Sequence, residues 1–340
     1  MDRRSFLKLA TLTPTAMLFG CKQQESTADN SAVDTKTKAP TDVRVATLKG
    51  PTAMGLAKFM SDVKAGAVSD NTYTFDIVAS PDEIVAKVAK GDVDIASIPS
   101  NLASVLYNKT KGGVQALCVN VLNVLYIVER GNAIKTLADL AGKTLYAAGK
   151  GASPEYVLSY ILEKNGLKLG GDVQVEWKSE HAECVAALAQ DENGIALLPQ
   201  PFVTVAQTKD QSIREALDLG AEWKATGATS ELVTGTAIVS KSFAEKNLDA
   251  VAQFLSHYKD SVDFVHDHTD EAAKLIGEAD IVPEKVAKIA LPKCNITYIV
   301  GNDMKNTLSG YLQVLADADQ KAVGGKLPED DFYFGAGSDK

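Results

Sequence analysis

The chain has few cysteines, and their spacing excludes both a metal site and a dense disulfide scaffold. Four of the 340 residues are cysteine, at positions 21, 118, 184 and 294. They are widely separated, and none forms a CxxC or Cys/His pair with metal-ligand spacing. We expect Cys118, Cys184 and Cys294 to be buried as small hydrophobic side chains, with one disulfide between two of them as the alternative. No metal is predicted.

Motifs for catalysis and nucleotide binding are also missing. The GKGAS segment at 149–153 lacks the terminal GK[ST] and the spacing of a phosphate-binding loop. There is no GxSxG motif and no cysteine with a partnered histidine. The His/Asp cluster at 266–270 lies between predicted helices and is interpreted as a solvated turn, and His181 as a surface side chain. The sequence therefore predicts neither an enzyme nor a cofactor.

Arginine and long apolar runs are scarce after the N-terminus. Arg44, Arg130 and Arg214 are the only arginines beyond residue 21, and no later segment approaches the length of a membrane-spanning helix. The net charge is −9, and residues 22–340 alone carry −11. This acidity disfavours nucleic acid as a partner, because its phosphates would meet like charge over much of the surface. The scarcity of arginine also disfavours a strongly charged sulfonate as ligand.

The N-terminus has the features of an export signal. Paired arginines at 3 and 4 precede an apolar stretch that ends in Leu18-Phe19-Gly20-Cys21. A basic start, a short apolar region and a small residue before a cleavage point are typical of a secretory signal peptide. The start resembles a twin-arginine signal, and the end resembles a bacterial lipobox, which implies lipidation of Cys21. Asp2 stands where a hydroxyl residue usually precedes the twin arginines, so the export route stays open.

The remainder divides into a tether and a folded body. Residues 22–41 are polar and carry almost no core-forming side chains, which predicts a flexible tether. From residue 42, apolar strand patterns alternate with amphipathic helix patterns in two successive halves. This alternation predicts an α/β fold with two doubly wound, mostly parallel sheets.

Several motifs together resemble one family. They are Gly50-Pro51-Thr52 after the first strand, Gly91-Asp92-Val93-Asp94-Ile95-Ala96, Leu140-Ala141-Gly142-Lys143-Thr144-Leu145, and Leu197-Leu198-Pro199-Gln200-Pro201-Phe202. Their order and spacing resemble the type II periplasmic binding proteins of ABC importers, in the branch that binds sulfonates, nitrate and thiamine-pyrimidine precursors. Family members commonly carry Glu where Gln200 stands. The resemblance implies one lobe at 42–132 plus 233–340 and a second at 133–232. Hinges are then expected near Glu129–Asn132 and Leu232–Gly235.

The candidate ligand-binding residues lie where predicted strands end. In an open α/β sheet, ligands bind beyond the carboxyl ends of the strands. Glycine permits close backbone approach there, and free N–H groups at helix starts suit an anionic or strongly polar group. The candidates are Gly50, Pro51, Thr52, Ala53, Met54, Ser80, Pro99, Ser100, Asn101, Asn123, Gly149, Gly151, Ala152, Ser153, Pro199 and Gln200. Helix capping, turn formation or core packing are the alternative roles of these side chains.

These observations predict a lipid-anchored, extracytoplasmic solute-binding protein. We expect a monomer that binds a small polar or heterocyclic solute between two lobes, closes about two hinges and docks on an ABC importer permease. One alternative is an enzyme on the same fold, similar to pyrimidine-precursor synthases or menaquinone-pathway enzymes. The export signal favours the binding protein, because those enzymes are intracellular and the synthases carry a cysteine-rich motif that this sequence lacks. A ligand-sensing module is the third possibility.

Overall fold

The computed structural model describes residues 39–337. The predicted leader at 1–21, the lipidation site Cys21 and all but the last residues of the predicted tether at 22–41 lie outside this range. The first strand begins at Thr41, whose backbone N–H donates to Asn71 Oδ1 at 3.1 Å. The folded body therefore starts one residue before the predicted boundary.

Eleven strands of the described chain form two sheets. The first sheet contains β1 (Thr41–Leu48), β2 (Asn71–Val78), β3 (Ile95–Pro99), β4 (Val114–Leu122), β10 (Val233–Ser240) and β11 (Ile296–Ile299), in the order β11-β4-β10-β3-β1-β2. The second contains β5 (Leu125–Arg130), β6 (Thr144–Ala148), β7 (Gln174–Lys178), β8 (Ile195–Pro199) and β9 (Ile213–Asp218), in the order β7-β6-β8-β5-β9.

Helices pack on both faces of each sheet and form two lobes. They are α1 (Pro51–Met54), α2 (Ala57–Lys64), α3 (Pro81–Lys90), α4 (Ser100–Lys109), α5 (Ser153–Lys164), α6 (His181–Gln190), α7 (Phe202–Lys209), α8 (Leu219–Ala225), α9 (Lys241–Lys246), α10 (Leu248–Asp267), α11 (Thr269–Glu278), α12 (Glu284–Ala290) and α13 (Gly301–Ala318). Short 3-10 helices lie at Leu137–Leu140, Leu291–Lys293, Gln320–Val323 and Asp330–Phe332. None of the helices at 39–337 is long and apolar enough to cross a membrane.

Local sequence signals explain how these elements begin and end. Ser80 caps α3 by accepting from the backbone N–H of Asp82, and Pro81 occupies the first turn. Gly91 ends the same helix with a left-handed φ of 74°. Strands β3 and β8 are buried along their whole length, which is why β8 reads as a continuous apolar run and β3 does so apart from Ser97.

The two-lobed α/β architecture is confirmed, although both sheets are mixed. Strand β1 pairs in parallel with β2 and β3, and β6 does so with β7 and β8. In the first sheet β10 runs antiparallel to β3 and β4, and the edge strand β11 runs antiparallel to β4. In the second sheet β5 runs antiparallel to β8 and β9. Strands β5 and β10 each follow a crossover between the lobes.

The first crossover lies earlier than the sequence indicated. The predicted boundary at 132 and hinge at Glu129–Asn132 assigned β5 to the first lobe, whereas β5 pairs with β8 and β9 of the second sheet. The apolar run at 124–128 fits a buried strand of either sheet, so only the pairing decides. The crossover is at Asn123–Val124, where Asn123 has a φ of 38° and donates from its backbone N–H to Leu232 O at 3.0 Å. The second crossover, at Leu232–Val233, therefore lies directly beside the first.

The lobes share part of their core. One apolar cluster includes side chains of both sheets together with those of α4, α5, α8 and α13. Trp223 of α8 is fully buried and packs on Tyr311 of α13 with ring centroids 5.6 Å apart. Cys118, Cys184 and Cys294 are buried free thiols, as predicted, and the alternative of a disulfide among them is wrong.

Candidate functional site

A cavity of about 90 Å³ lies between the lobes, at the carboxyl ends of the strands. Its first-lobe wall comes from the last residues of β1 and β3, from the segments that follow β1 and β2, and from β4 and β10. Its second-lobe wall comes from the start of β5, from the last residue of β8, and from the segments that follow β6 and β7. A water needs roughly 10–15 Å³ by this kind of measure, so the cavity has room for a small solute.

Most of the lining is apolar. Proline, aliphatic and glycine residues make up thirteen of the eighteen lining positions. The polar remainder consists of Lys49, Thr52, Ser153, His181 and Thr234. An apolar wall with a few polar groups is the usual composition of a small-molecule site.

The three hydroxyl groups of the lining all donate into the protein. Thr52 Oγ1 donates to Leu48 O at 2.9 Å. Ser153 Oγ donates to Asn101 Oδ1 at 3.2 Å, and Thr234 Oγ1 donates to Val121 O at 3.3 Å. A hydroxyl has one hydrogen and two lone pairs, so each has acceptor capacity left and no free hydrogen.

Asn101 connects the two lobes across the cleft. It is fully buried near the start of α4 in the first lobe, and its Nδ2 donates to Gly151 O of the second lobe at 3.2 Å. Its Oδ1 accepts from Ser153, also of the second lobe. Because both contacts join groups on opposite lobes, they exist only while the lobes are together.

His181 begins α6 on the second-lobe side of the cavity. The residue is partly exposed, but its Nδ1 is buried without a hydrogen-bond partner, and its ring packs on Phe202 at 5.2 Å between centroids. Burial lowers the pKa of His181 to about 4, because desolvation disfavours the charged imidazolium. The imidazole is therefore neutral at neutral pH, and the interpretation of His181 as a surface side chain is corrected.

Arginine is absent from the cavity because each arginine of the described chain is paired elsewhere. Arg44 binds Asp94 at 2.7 Å, and this bidentate hydrogen-bonded pair raises the pKa of Arg44. The other two pairs are Arg130 with Asp210 at 2.9 Å and Arg214 with the buried Glu129. Lys49 is the one lysine in the lining, 37% exposed and 3.9 Å from the exposed Asp280.

The described residues bring no metal ligands together. Across 39–337, no three His, Cys, Asp or Glu side chains are arranged to hold a metal ion. His266, in the cluster that could have been taken for a metal site, bonds through Nε2 to Ile296 O at 2.9 Å.

Many of the sequence-predicted residues lie in or beside the cavity. Those that line it are Pro51, Thr52, Pro99, Gly149, Ala152, Ser153 and Pro199. Gly50 precedes α1 at its N-terminus, and Ser80 caps α3 between two lining residues. Asn101 and Gly151 hold the lobes together beside the cavity.

The other predicted residues have packing or positioning roles. Ala53 and Met54 are fully buried in the first-lobe core, with Met54 Sδ 3.8 Å from Cys294 Sγ. Ser100 Oγ shares a hydrogen bond of 2.8 Å with Thr236 Oγ1, and Asn123 forms the first crossover. Gln200 is buried, and its Oε1 accepts from the backbone N–H and the hydroxyl of Thr204.

Sequence reasoning missed several lining residues. They are Leu48, Lys49, Ala79, Pro81, Val121, Val124, Leu125, Pro154, His181, Thr234 and Gly235. His181 could have been found by the rule already applied, because it follows the carboxyl end of β7. Thr234 and Gly235 carry no such signal, since β10 enters the first sheet from the opposite direction and only the topology brings its start to the cleft.

The fold and the interlobe cavity define a two-lobed solute-binding protein. A family model described as ABC transporter, phosphonate, periplasmic substrate-binding protein matches residues 62–283, which is more than half of the chain. The chain belongs to this family, and its role is solute binding. A search of curated proteins finds no significant sequence match.

Solved structures of similar fold cover most of the chain. An ABC transporter protein from Parabacteroides distasonis has 22% identity and a TM-score of 0.69, covering 86% of this chain and 98% of its own. The alkanesulfonate-binding protein SsuA from Xanthomonas axonopodis, bound to MOPS, has 19% identity and a TM-score of 0.68, with 86% and 96% covered. The aliphatic sulphonate binding protein SsuA from Escherichia coli has 18% identity and a TM-score of 0.67, with 86% and 93% covered. At these identities the likeness concerns the fold alone.

Proposed function

We propose that this protein captures a small solute between its lobes and delivers it to an ABC importer permease by lobe closure. The observation that carries the proposal is the cavity, which both lobes line and which Asn101 of the first lobe bridges to Gly151 and Ser153 of the second. A solute that contacts both walls binds the closed form better than the open form. This difference in affinity is what drives closure.

The adjacent crossovers supply a hinge for this motion. Asn123 and Leu232 lie on the two connections between the sheets and are hydrogen-bonded to each other. Asn123 Oδ1 is buried without a partner, and a Cβ on Gly220 would lie 2.9 Å from that oxygen. A few residues at the ends of strands, such as Asn123 and Leu232, can absorb the change in backbone angles while each lobe moves as a rigid body.

Anchoring through Cys21 is part of the proposal and rests on the sequence. Export and lipidation would hold the body beside a membrane on about twenty polar residues. Cys21→Ser should leave an exported but unlipidated protein in the soluble fraction after cell fractionation. Recovery of the wild-type chain in the cytoplasm, with its N-terminus intact, would refute export.

Binding at the cavity is tested with alanine variants on both walls. Native mass spectrometry of the purified protein identifies a co-purified solute, and calorimetry measures its affinity for Thr52→Ala, Asn101→Ala and Ser153→Ala. We expect weaker binding in all three variants, together with a smaller decrease in radius of gyration on solute addition. If all three bind like the wild type, the solute binds elsewhere.

A further inference from the structure

A second cavity, of about 430 Å³, shares no lining residue with the interlobe cavity. It is a groove between one face of α5, the strand β7 and the end of α13, and we call it the α5 groove. Strand β7 is the edge of the second sheet, so no further strand covers this side. The groove is larger than the interlobe cavity, and the proposed function gives it no role.

The walls of the α5 groove are largely aromatic. Val175 and Trp177 alternate along β7 and therefore lie on the same face of the sheet. Tyr156 and Tyr160 lie one turn apart on α5, which puts both rings on one face of the helix. Trp177 and Tyr156 are half-buried and pack against the core that both lobes share. Rings of this kind offer apolar area together with a π face that attracts cations.

The polar groups of the α5 groove are mostly acidic. Glu155 and Glu163 of α5 and Asp319 at the end of α13 line it, against one ammonium group, that of Lys150. Within residues 39–337 none of the three carboxylates forms an ion pair, so their negative charge is not neutralised by a neighbouring side chain. Their hydrogen-bond donors are, in the same order, the backbone N–H of Gly151, the hydroxyl of Ser159 and the backbone N–H of Lys321.

Tyr156 lies close to negative charge from both lobes. Burial raises the pKa of Tyr156, and the charges of Asp319 and Glu155 raise it further. The C-terminus of α13 adds to this field, because its last turn carries no basic residue to offset the partial negative charge of the last carbonyl groups. The rings, the carboxylates and the end of α13 thus all favour a positive charge in the groove.

One ring of the groove already has a cation over it. Lys164 Nζ lies 5.5 Å from the centroid of the Tyr160 ring, although Lys164 itself does not line the groove. Within residues 39–337, no lysine or arginine lies over Tyr156 or Trp177 in the same way. These two rings are therefore available to a cation that comes from outside the protein.

We propose that the α5 groove binds a small organic ammonium ion that has an apolar part. The ammonium group lies among Glu155, Glu163 and Asp319, and the apolar part packs on Trp177 and Tyr156. This site is additional to the interlobe cavity and does not depend on which solute binds there.

Four probes separate the effect of charge from that of apolar area. Phenethylammonium has both, 2-phenylethanol is its uncharged counterpart, phenylacetate is an anion, and methylammonium keeps the charge without the ring. Calorimetry of the full-length protein at pH 7 measures their affinities. We expect phenethylammonium to bind about fivefold or more tightly than each of the others. Its affinity should decrease between 20 and 500 mM NaCl, because salt screens the exposed carboxylates.

Variants locate the bound ammonium ion. Trp177→Leu keeps apolar area without the π face, and Asp319→Asn removes one charge while keeping an acceptor for the N–H of Lys321. Each should weaken phenethylammonium binding by about threefold. Asp317→Asn is the matched control at the same helix end, because Asp317 accepts from Gln313 Nε2 at 2.7 Å and does not line the groove. It should leave the affinity nearly unchanged, and circular dichroism shows whether each variant is folded.

Several results would overturn the proposal. They are absence of binding, tightest binding of phenylacetate, equal binding of phenethylammonium and 2-phenylethanol, and equal losses in Asp317→Asn and Asp319→Asn. A loss in Thr52→Ala as large as that in Asp319→Asn would also overturn it, because it would place the ammonium ion in the interlobe cavity. None of these results decides whether the interlobe cavity captures a solute, so the two proposals fail independently.

Discussion

Asn101 offers the sharpest test of how the lobes are held together. Asn101→Ala removes two contacts across the cleft, from Nδ2 to Gly151 O and from Ser153 Oγ to Oδ1. It also removes a bond to Ala322 O at 3.1 Å within the first lobe, which persists in the open form and so affects folding instead of closure. Two net hydrogen bonds contribute about 2 kcal/mol to the closed form, which corresponds to roughly 30-fold weaker solute binding.

Asn108 provides the matched control on the same helix. Its Nδ2 donates to Val323 O at 2.8 Å and to Lys326 O at 2.7 Å, both within the first lobe. Asn108→Ala should therefore lower the free energy of unfolding, measured by urea titration, without weakening solute binding by calorimetry. Equal affinities of Asn101→Ala and the wild type, or an equal loss of affinity in both variants, would refute the reasoning.

Three further perturbations test the cleft and the crossover. Lys293→Gln removes the ion pair of 2.7 Å between Lys293 Nζ of the first lobe and Glu215 Oε1 of the second. Because both groups are partly exposed, we expect the free energy of closure to become less favourable by about 1 kcal/mol or less. In 0.5 M NaCl the solute affinity of the wild type should decrease to that of the variant. Burial in the closed form holds the pKa of His181 at about 4, against 6.5 for an exposed histidine, so the open form gains a proton first as the pH falls. The affinity for an uncharged solute should therefore decrease by up to tenfold per pH unit between about pH 6.5 and pH 4. A wild-type affinity that stays constant over this range would contradict the prediction. Gly235→Ala would place a Cβ 2.6 Å from Asn120 Oδ1, beside the second crossover. This overpacking should lower the free energy of unfolding by about 1–3 kcal/mol, which is measured as a lower midpoint of thermal unfolding. Gly310→Ala is the control that should not show this loss, because the nearest atom to its Cβ lies at 3.4 Å.

Local sequence patterns were sufficient to predict the features that depend on residues close together in the chain. Pro81 and Gly91 mark the two ends of α3, and the apolar run at 95–98 marks a buried strand. Candidate residues that follow strand ends, such as Thr52 and Ser153, reach the cavity because the carboxyl ends of parallel strands meet at one edge of a sheet. Met54 carries the same positional signal, but helical periodicity turns it into the core.

The sequence by itself determined the α/β class, the acidic net charge and the absence of known catalytic motifs, since these follow from composition and short-range periodicity. The two lobes were predicted from the resemblance of its motifs to a known family. Only the tertiary structure decided that β5 belongs to the second sheet and that Thr234 and His181 face the same cavity. It also decided which hydroxyl hydrogens are already donated, and that the arginines are paired elsewhere. Hydrogen-bond direction and desolvation depend on neighbours distant in the chain, and no sequence period encodes them.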